Sequence, residues 1–163
     1  MGKIRVSVLS KLFLPKTRKV PYLRLVMDAN QRHIRPSLVY LAVPYSHTER
    51  EMLEIRFQAV NRVAGILMSK GEHVFSPISH SHPIADMWEL PRSWEFWEGQ
   101  DRAILVACRK LAVLMLDGWK ESSGVSGELE IAREIGVDIE FLHPHDYGLE
   151  VCGRLKNGTG LAP

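Results

Sequence analysis

Cysteines and long apolar runs are both scarce in this chain of 163 residues. It contains only two cysteines, Cys108 and Cys152, far apart in sequence. This excludes a disulfide-stabilised scaffold and favours a reducing, cytoplasmic environment. No apolar run approaches the roughly 18–20 residues of a membrane-spanning helix, so we expect no membrane span. The remaining composition, 45% hydrophobic and 25% charged, is typical of one compact globular domain with a modest appendage.

Charge is distributed unevenly along the chain, although the net charge is only +2. Residues 1–36 contain nine Lys and Arg and one acid, whereas residues 37–163 contain 12 basic and 18 acidic residues. We therefore expect a basic N-terminal extension at 1–36, a domain at 37–150 and a C-terminal tail at 151–163. The extension could contact nucleic acid weakly, pair with the acidic domain or have no fixed structure. The acidic domain itself disfavours general nucleic-acid binding.

Short apolar segments alternate with amphipathic ones from residue 38 onward. Four segments have the length and composition of buried strands: Leu38–Pro44, His73–Ser76, Leu111–Leu116 and Asp138–Leu142. Helical periodicity fills most of the intervening chain, at residues 48–70, 93–108 and 125–135, with Thr48 and Glu51 as a capping box and Gly71 and Gly136 as stops. Residues 77–92, rich in Pro, His and Ser, are predicted to form a long loop. The pattern predicts an α/β fold, a three-layer α/β/α sandwich with a mainly parallel, flavodoxin- or Rossmann-like sheet of four to five strands.

Ligands of such sheets bind beyond the carboxyl ends of the strands, where this chain carries most of its unusual polar residues. The predicted pocket residues are Tyr45 and Ser46 after the first strand, Ser79, His80 and His82 in the long loop, and Asp117, Gly118, Trp119, Ser122 and Gly124 after the third strand. His80 and His82 would point the same way from an extended segment, and His143 and His145 repeat the spacing. Four imidazoles could bind zinc, but no cysteine or closely spaced carboxylate completes a motif. We predict neither a metal site nor a cofactor.

Two carboxylates are candidates for chemistry. Glu128 follows the turn after the third predicted strand and opens a helical pattern, where the helix dipole is expected to keep it ionised. An ionised carboxylate facing a crevice can attack an electrophilic carbon, whereas the plain alternative is a glutamate that only complements the dipole. Asp101 is either a solvated helix residue or a second pocket acid. Among the tryptophans, Trp88, Trp94, Trp97 and Trp119, the last is the best candidate for stacking on a nucleobase.

Several separated motifs occur in a recognisable order: AVPYS, SPISHSHPI, W-x-x-W-x-x-x-D, LDGWxxSxG and GxxxE. In these motifs the chain resembles a nucleoside 2-deoxyribosyltransferase-like family, and most closely a small uncharacterised branch of it. The resemblance covers roughly residues 37–143. The resemblance implies that Glu128 is a nucleophile, that Asp101 holds the sugar or the nucleophile, and that Tyr45 lies beside them. It places Ser122 where related monophosphate glycosidases have a serine that meets the 5′-phosphate. Because that family completes its sites from a neighbouring subunit, it also implies a homodimer or higher homo-oligomer.

The resemblance implies an enzyme that hydrolyses or exchanges the N-glycosidic bond of a nucleoside or nucleotide. The sequence leaves two candidates, His80 and His82, for the group that protonates the departing base. One alternative is a module that binds a nucleotide or nucleotide sugar in the same crevice without turnover. Another is an interaction protein that the basic extension recruits to nucleic acid.

Overall fold

A four-stranded parallel sheet forms the centre of the protein. The computed structural model describes residues 37–156, and its strands are β1 (Leu38–Ala42), β2 (His73–Phe75), β3 (Lys110–Leu114) and β4 (Asp138–Leu142). Their order across the sheet is β2-β1-β3-β4, and all neighbouring pairs are parallel. The predicted extension 1–36 and residues 157–163 of the predicted tail lie outside the described residues.

Helices cover both faces of this open sheet, which confirms the predicted α/β sandwich. They are α1 (Arg50–Ser69), α2 (Pro77–Trp88), α3 (Trp94–Leu105) and α4 (Ser123–Ile135), followed by a single 3-10 turn (Pro144–Tyr147). Within residues 37–156, none of the helices is both long enough and apolar enough to cross a membrane.

The central strand β1 is buried on both faces of the sheet. Its side chains alternate between two apolar clusters, as the period of two in a strand requires. Val39 and Leu41 pack with residues of α1, whereas Tyr40 and Ala42 pack with residues of α3 and α4. Parallel strands covered in this way consist of nearly continuous apolar residues, which is the pattern by which they were predicted.

The predicted loop at residues 77–92 is wrong over most of its length, because Pro77–Trp88 form α2. Pro77 occupies the first turn, where its missing N–H costs nothing, and the Ser76 hydroxyl accepts the Ser79 N–H at 3.4 Å as an N-cap. A proline and a capping serine look like loop residues in a sequence, but together they start a helix.

The predicted capping box at the start of α1 is also wrong. The helix begins at Arg50 with Glu49 as its N-cap residue, and no side chain caps it. Instead, the ring nitrogen Nδ1 of His47 accepts the Glu49 N–H at 3.0 Å. The predicted stop at Gly136 is confirmed, since this glycine ends α4 in the left-handed region at φ 67°.

The chain after the 3-10 turn packs back onto the domain. Leu149 and Leu155 form an antiparallel bridge, and Gly153 is buried between them. A side chain at Gly153, whose φ is +94°, would press against Ile55 and Leu116. Gly153, which was predicted as part of a tail, is therefore packed against α1 and the core.

Candidate active site

A cleft opens at the carboxyl end of the sheet, above β1 and β3. Its empty volume is about 640 Å³, counting its mouth. Three helices begin at this cleft, with Ser76, Ser93 and Ser122 as the N-cap residues of α2, α3 and α4. First-turn residues of all three helices line the wall, so the positive ends of three helix dipoles converge there. Arg92 adds a cationic side chain to the lining. The cleft is therefore suited to an anionic group.

Two buried carboxyl groups form one wall of the cleft. Glu128, on α4, is 5% exposed, and Asp101, on α3, is 6% exposed. The hydroxyl of Tyr40, which is fully buried on β1, donates a hydrogen bond to Glu128 Oε1 at 2.8 Å. Asp101 Oδ1 is buried and has no hydrogen-bond partner within the described part of the chain. We call Tyr40, Asp101 and Glu128 the acid cluster.

Burial changes the ionisation of the acid cluster. Desolvation, together with the nearby negative charge of Asp101, raises the pKa of Glu128 to about 8. Desolvation also raises the pKa of Asp101 to about 6, while the Tyr40 hydroxyl lowers the pKa of both carboxyls in part. The pKa of Tyr40 itself lies well above its usual value, so its hydroxyl stays a donor. At neutral pH the two carboxyls therefore hold one proton between them, mainly on Glu128.

An aromatic and histidine wall faces the cleft from α2 and the segment after β1. The Tyr45 hydroxyl and His82 Nδ1 are hydrogen-bonded to each other. His82 stacks on Phe57 of α1, with ring centroids 4.3 Å apart and planes inclined by 24°. Both Tyr45 and His82 line the cleft that Glu128 and Asp101 line.

Arg56 fixes the two loops that carry this site. Its side chain is buried in α1 and donates to the carbonyl oxygens of Ser46, at 2.9 Å, and of Asp117, also at 2.9 Å. It also donates to the Tyr45 carbonyl at 3.3 Å. These loops follow β1 and β3, so one guanidinium holds together the strand ends beneath the cleft.

Replacing Arg56 by Met is expected to lower the free energy of unfolding by about 2 kcal/mol, because three loop carbonyls lose a charged donor. Part of the loss is offset, because burying the Arg56 guanidinium costs free energy that Met does not incur. The same desolvation lowers the pKa of Arg56. Urea unfolding measures the change. Arg50→Met is the matched control, since the Arg50 side chain is 82% exposed and should contribute less than about 0.5 kcal/mol. Equal effects of the two substitutions would contradict the role of Arg56.

Comparison with known families adds one finding. A family model described as "Domain of unknown function (DUF1937)" matches residues 37–143. The chain belongs to the DUF1937 family. No curated protein matches the sequence.

The DUF1937 domain brings most of the predicted site residues to the cleft and leaves others out. Those that line it are Tyr45, Ser46, His82, Asp101, Ser122, Gly124 and Glu128. Those that do not are Ser79, His80, Asp117, Gly118 and Trp119. Asp117 and Gly118 are exposed, and of Asp117 only the backbone reaches the site, through Arg56.

His80 and His82 do not point the same way, because they lie on a helix. Side chains two residues apart on a helix diverge by about 200°. His82 therefore faces the cleft, whereas His80 is exposed and its ring lies 5.8 Å from that of Phe75. The interpretation of these histidines as a same-facing pair is wrong.

Trp119 packs away from the cleft. Its ring lies 5.3 Å from that of Phe141 on β4, and Lys120 Nζ lies over the ring, 5.6 Å from its centroid. Trp94 and Trp97, at the start of α3, are the tryptophans that line the cleft of the DUF1937 domain. Trp94 can approach closely because α4 has a glycine, Gly127, directly against its indole.

The predicted ionisation of Glu128 is wrong for the free protein. Because α4 begins at Ser123, Glu128 lies in its second turn rather than at its start, where the dipole acts most strongly. Its burial next to Asp101 outweighs the dipole and raises its pKa.

Tyr40 and Arg56 are two site residues that sequence reasoning missed, and each left a signal. Tyr40 is the one hydroxyl in an otherwise aliphatic strand, and a buried hydroxyl needs a partner. Arg56 falls on the core-facing side of α1, three residues after Leu53 and four before Val60, both of which are buried.

A second, larger groove of about 1590 Å³ runs along α1 beside residues 149–155. Its polar side chains, such as Glu54 and Arg154, are exposed, and neither carboxyl of the acid cluster lines it. The candidate active site of the DUF1937 domain is therefore the smaller cleft.

Proposed function

We propose that this protein cleaves the N-glycosidic bond of a nucleotide or nucleoside, by hydrolysis or by exchange of the base. The observation that carries the proposal is the acid cluster, in which two carboxyls with raised pKa values line one cleft. Enzymes that cleave glycosidic bonds commonly divide the work between two such carboxyls, one of which attacks the sugar. The motif resemblance, which includes GxxxE ending at Glu128, points to the same chemistry.

In the proposed reaction, an oxygen of the Glu128 carboxylate attacks the anomeric carbon of the sugar. The carbon–nitrogen bond breaks, its electron pair goes to the base nitrogen, and that nitrogen takes up a proton. Water or a second base then attacks the same carbon and releases the Glu128 carboxylate. If water attacks, its proton returns to the group that protonated the base.

Glu128 must be ionised to attack, although it holds the proton of the pair in the free protein. The attack therefore requires that proton to lie on Asp101, which costs free energy because burial raises the pKa of Glu128 more than that of Asp101. The developing positive charge on the sugar offsets part of this cost, since it favours an anionic carboxylate beside it. The Tyr40 hydroxyl then stabilises the anion by the hydrogen bond that it already donates.

The rest of the cleft matches the parts of a nucleotide. The converging helix N-termini and Arg92 favour a phosphate. The unpartnered Asp101 Oδ1 can accept a hydrogen bond from a sugar hydroxyl. Trp94 and Trp97 offer aromatic surface to a base.

Incubation with a panel of nucleosides and deoxynucleoside 5′-monophosphates, read by chromatography for free base, tests the proposal. We expect base release by the wild type and a loss of roughly 1000-fold or more in Glu128→Gln, which keeps the shape but cannot attack. Glu130→Gln is the matched control, because Glu130 is exposed on the same helix.

Base release that persists in Glu128→Gln would remove the proposed mechanism. Saturable binding of a nucleotide without any release of base would instead favour the alternative of a binding module.

A further inference from the structure

We propose that Tyr45 and His82 form the proton-donating arm of the site, with Tyr45 delivering the proton to the departing base and His82 supplying it. The inference rests on the proposed function and deepens it. Departure of a base from an anomeric carbon requires a proton for its nitrogen, and the acid cluster does not supply it if Glu128 attacks and Asp101 keeps the proton that Glu128 releases.

The position of the pair fits this role. Tyr45 follows β1 and His82 lies on α2, whereas the acid cluster comes from β1, α3 and α4. Tyr45, His82, Asp101 and Glu128 all line the same cleft. A ligand held in it can contact an attacking group from α4 and a donor from α2 and the segment after β1.

Three contacts fix the orientation of the His82 ring. Phe57 stacks on its ring, and the Tyr45 hydroxyl bonds to its Nδ1. Its Nε2 lies 3.5 Å from a carboxylate oxygen of Glu54, and only 13% of its side chain is exposed. A histidine between a carboxylate and a hydroxyl is oriented to pass a proton toward that hydroxyl.

The other charged groups around the arm are paired with one another. Asp86, one turn further along α2, lies 3.0 Å from Arg50 and 3.6 Å from Arg92. Glu54 is therefore the carboxylate that faces the His82 imidazole.

Two proton transfers accompany the departure of the base. As the carbon–nitrogen bond breaks toward the base, the base nitrogen takes the proton of the Tyr45 hydroxyl. The Tyr45 oxygen takes the Nδ1 proton of the His82 imidazolium, which becomes neutral and keeps its Nε2 proton toward Glu54. When water later attacks the sugar, its proton travels back through Tyr45 to His82. The net change is the addition of water across the glycosidic bond.

A comparison of two leaving groups tests the arm. The first substrate is the nucleotide or nucleoside from which the wild type releases base most rapidly. The second is the 4-nitrophenyl glycoside of the same sugar, whose nitrophenolate leaves without a proton. We expect Tyr45→Phe and His82→Gln to slow the first reaction roughly 100-fold or more, the usual contribution of a general acid, and to change the second by less than about fivefold. Glu128→Gln should slow both.

His80→Gln is the matched control, since His80 lies on the same helix but outside the cleft. Thermal unfolding checks that each variant folds, and Tyr45→Phe, which removes one oxygen atom, remains informative if His82→Gln does not. Equal slowing of both substrates, or full release of base by Tyr45→Phe, would overturn the arm and leave the proposed function standing. Unchanged rates in Glu128→Gln would overturn the proposed function instead.

Discussion

Replacing Glu128 by Gln is expected to stabilise the protein at pH 9 by on the order of 4 kcal/mol and to change its stability little at pH 4. Burial raises the pKa of this carboxyl from 4.5 to about 8, and each pKa unit corresponds to about 1.4 kcal/mol. Between pH 4.5 and about pH 8 the unfolded chain has released the proton that the folded protein keeps, so wild-type stability falls as the pH rises. Above about pH 8 both states are ionised, and the difference from Glu128→Gln stops growing.

Urea unfolding of both proteins at several pH values between 4 and 9 measures this effect. Glu130→Gln, on the exposed side of the same helix, is the control and should differ from the wild type by a small constant amount. In Asp101→Asn, the difference should grow only up to about pH 6, where burial places the pKa of Asp101. A difference between wild type and Glu128→Gln that does not vary with pH would contradict the buried acid cluster.

An acid that lowers stability at neutral pH calls for an explanation in function. Gln fits the same space and accepts the same hydrogen bond from Tyr40, without the cost of ionisation. Carboxyls with strongly raised pKa values in a cleft are typical of active sites, where the chemistry needs them. A measured loss of wild-type stability at high pH would therefore support the proposed function.

Strands were easier to predict than helices in this protein, for a physical reason. A strand of a parallel sheet covered on both faces is a short apolar run, so β1 and β3 were predicted within two residues of their observed bounds. Pro77–Trp88 was missed as a helix because the signals that start it, a serine cap and an N-terminal proline, are also typical of loops.

The location of the site was also predictable, because the carboxyl ends of parallel strands meet at one edge of the sheet. The sequence does not reveal how each helix is rotated about its axis. That rotation decides that His82 rather than His80 faces the cleft. Likewise, the path of the turn after β3 sends Trp119 toward Phe141, and Trp94 takes the position against the cleft.

Gly127→Ala is expected to lower the free energy of unfolding by about 3 kcal/mol, although alanine favours a helix more than glycine does. A Cβ at this buried position of α4 would lie 2.3 Å from Cζ2 and 2.4 Å from Cε2 of the Trp94 indole. The indole packs against the core and lines the cleft, so it must move away from both. We therefore also expect slower release of base. Gly65→Ala is the matched control, because a Cβ there meets nothing within 4 Å, and it should stabilise the protein by about 0.5–1 kcal/mol.

A double-mutant cycle with Trp94→Leu separates the collision from other effects of the alanine. Once the indole is gone, Gly127→Ala should lose most of its cost, which gives a coupling energy of about 3 kcal/mol measured by urea unfolding. If Gly127→Ala instead stabilised the protein as much as Gly65→Ala, the indole would not lie on α4. The start of α3 would then have to pack differently, and with it the part of the cleft wall that Trp94 and Asp101 form.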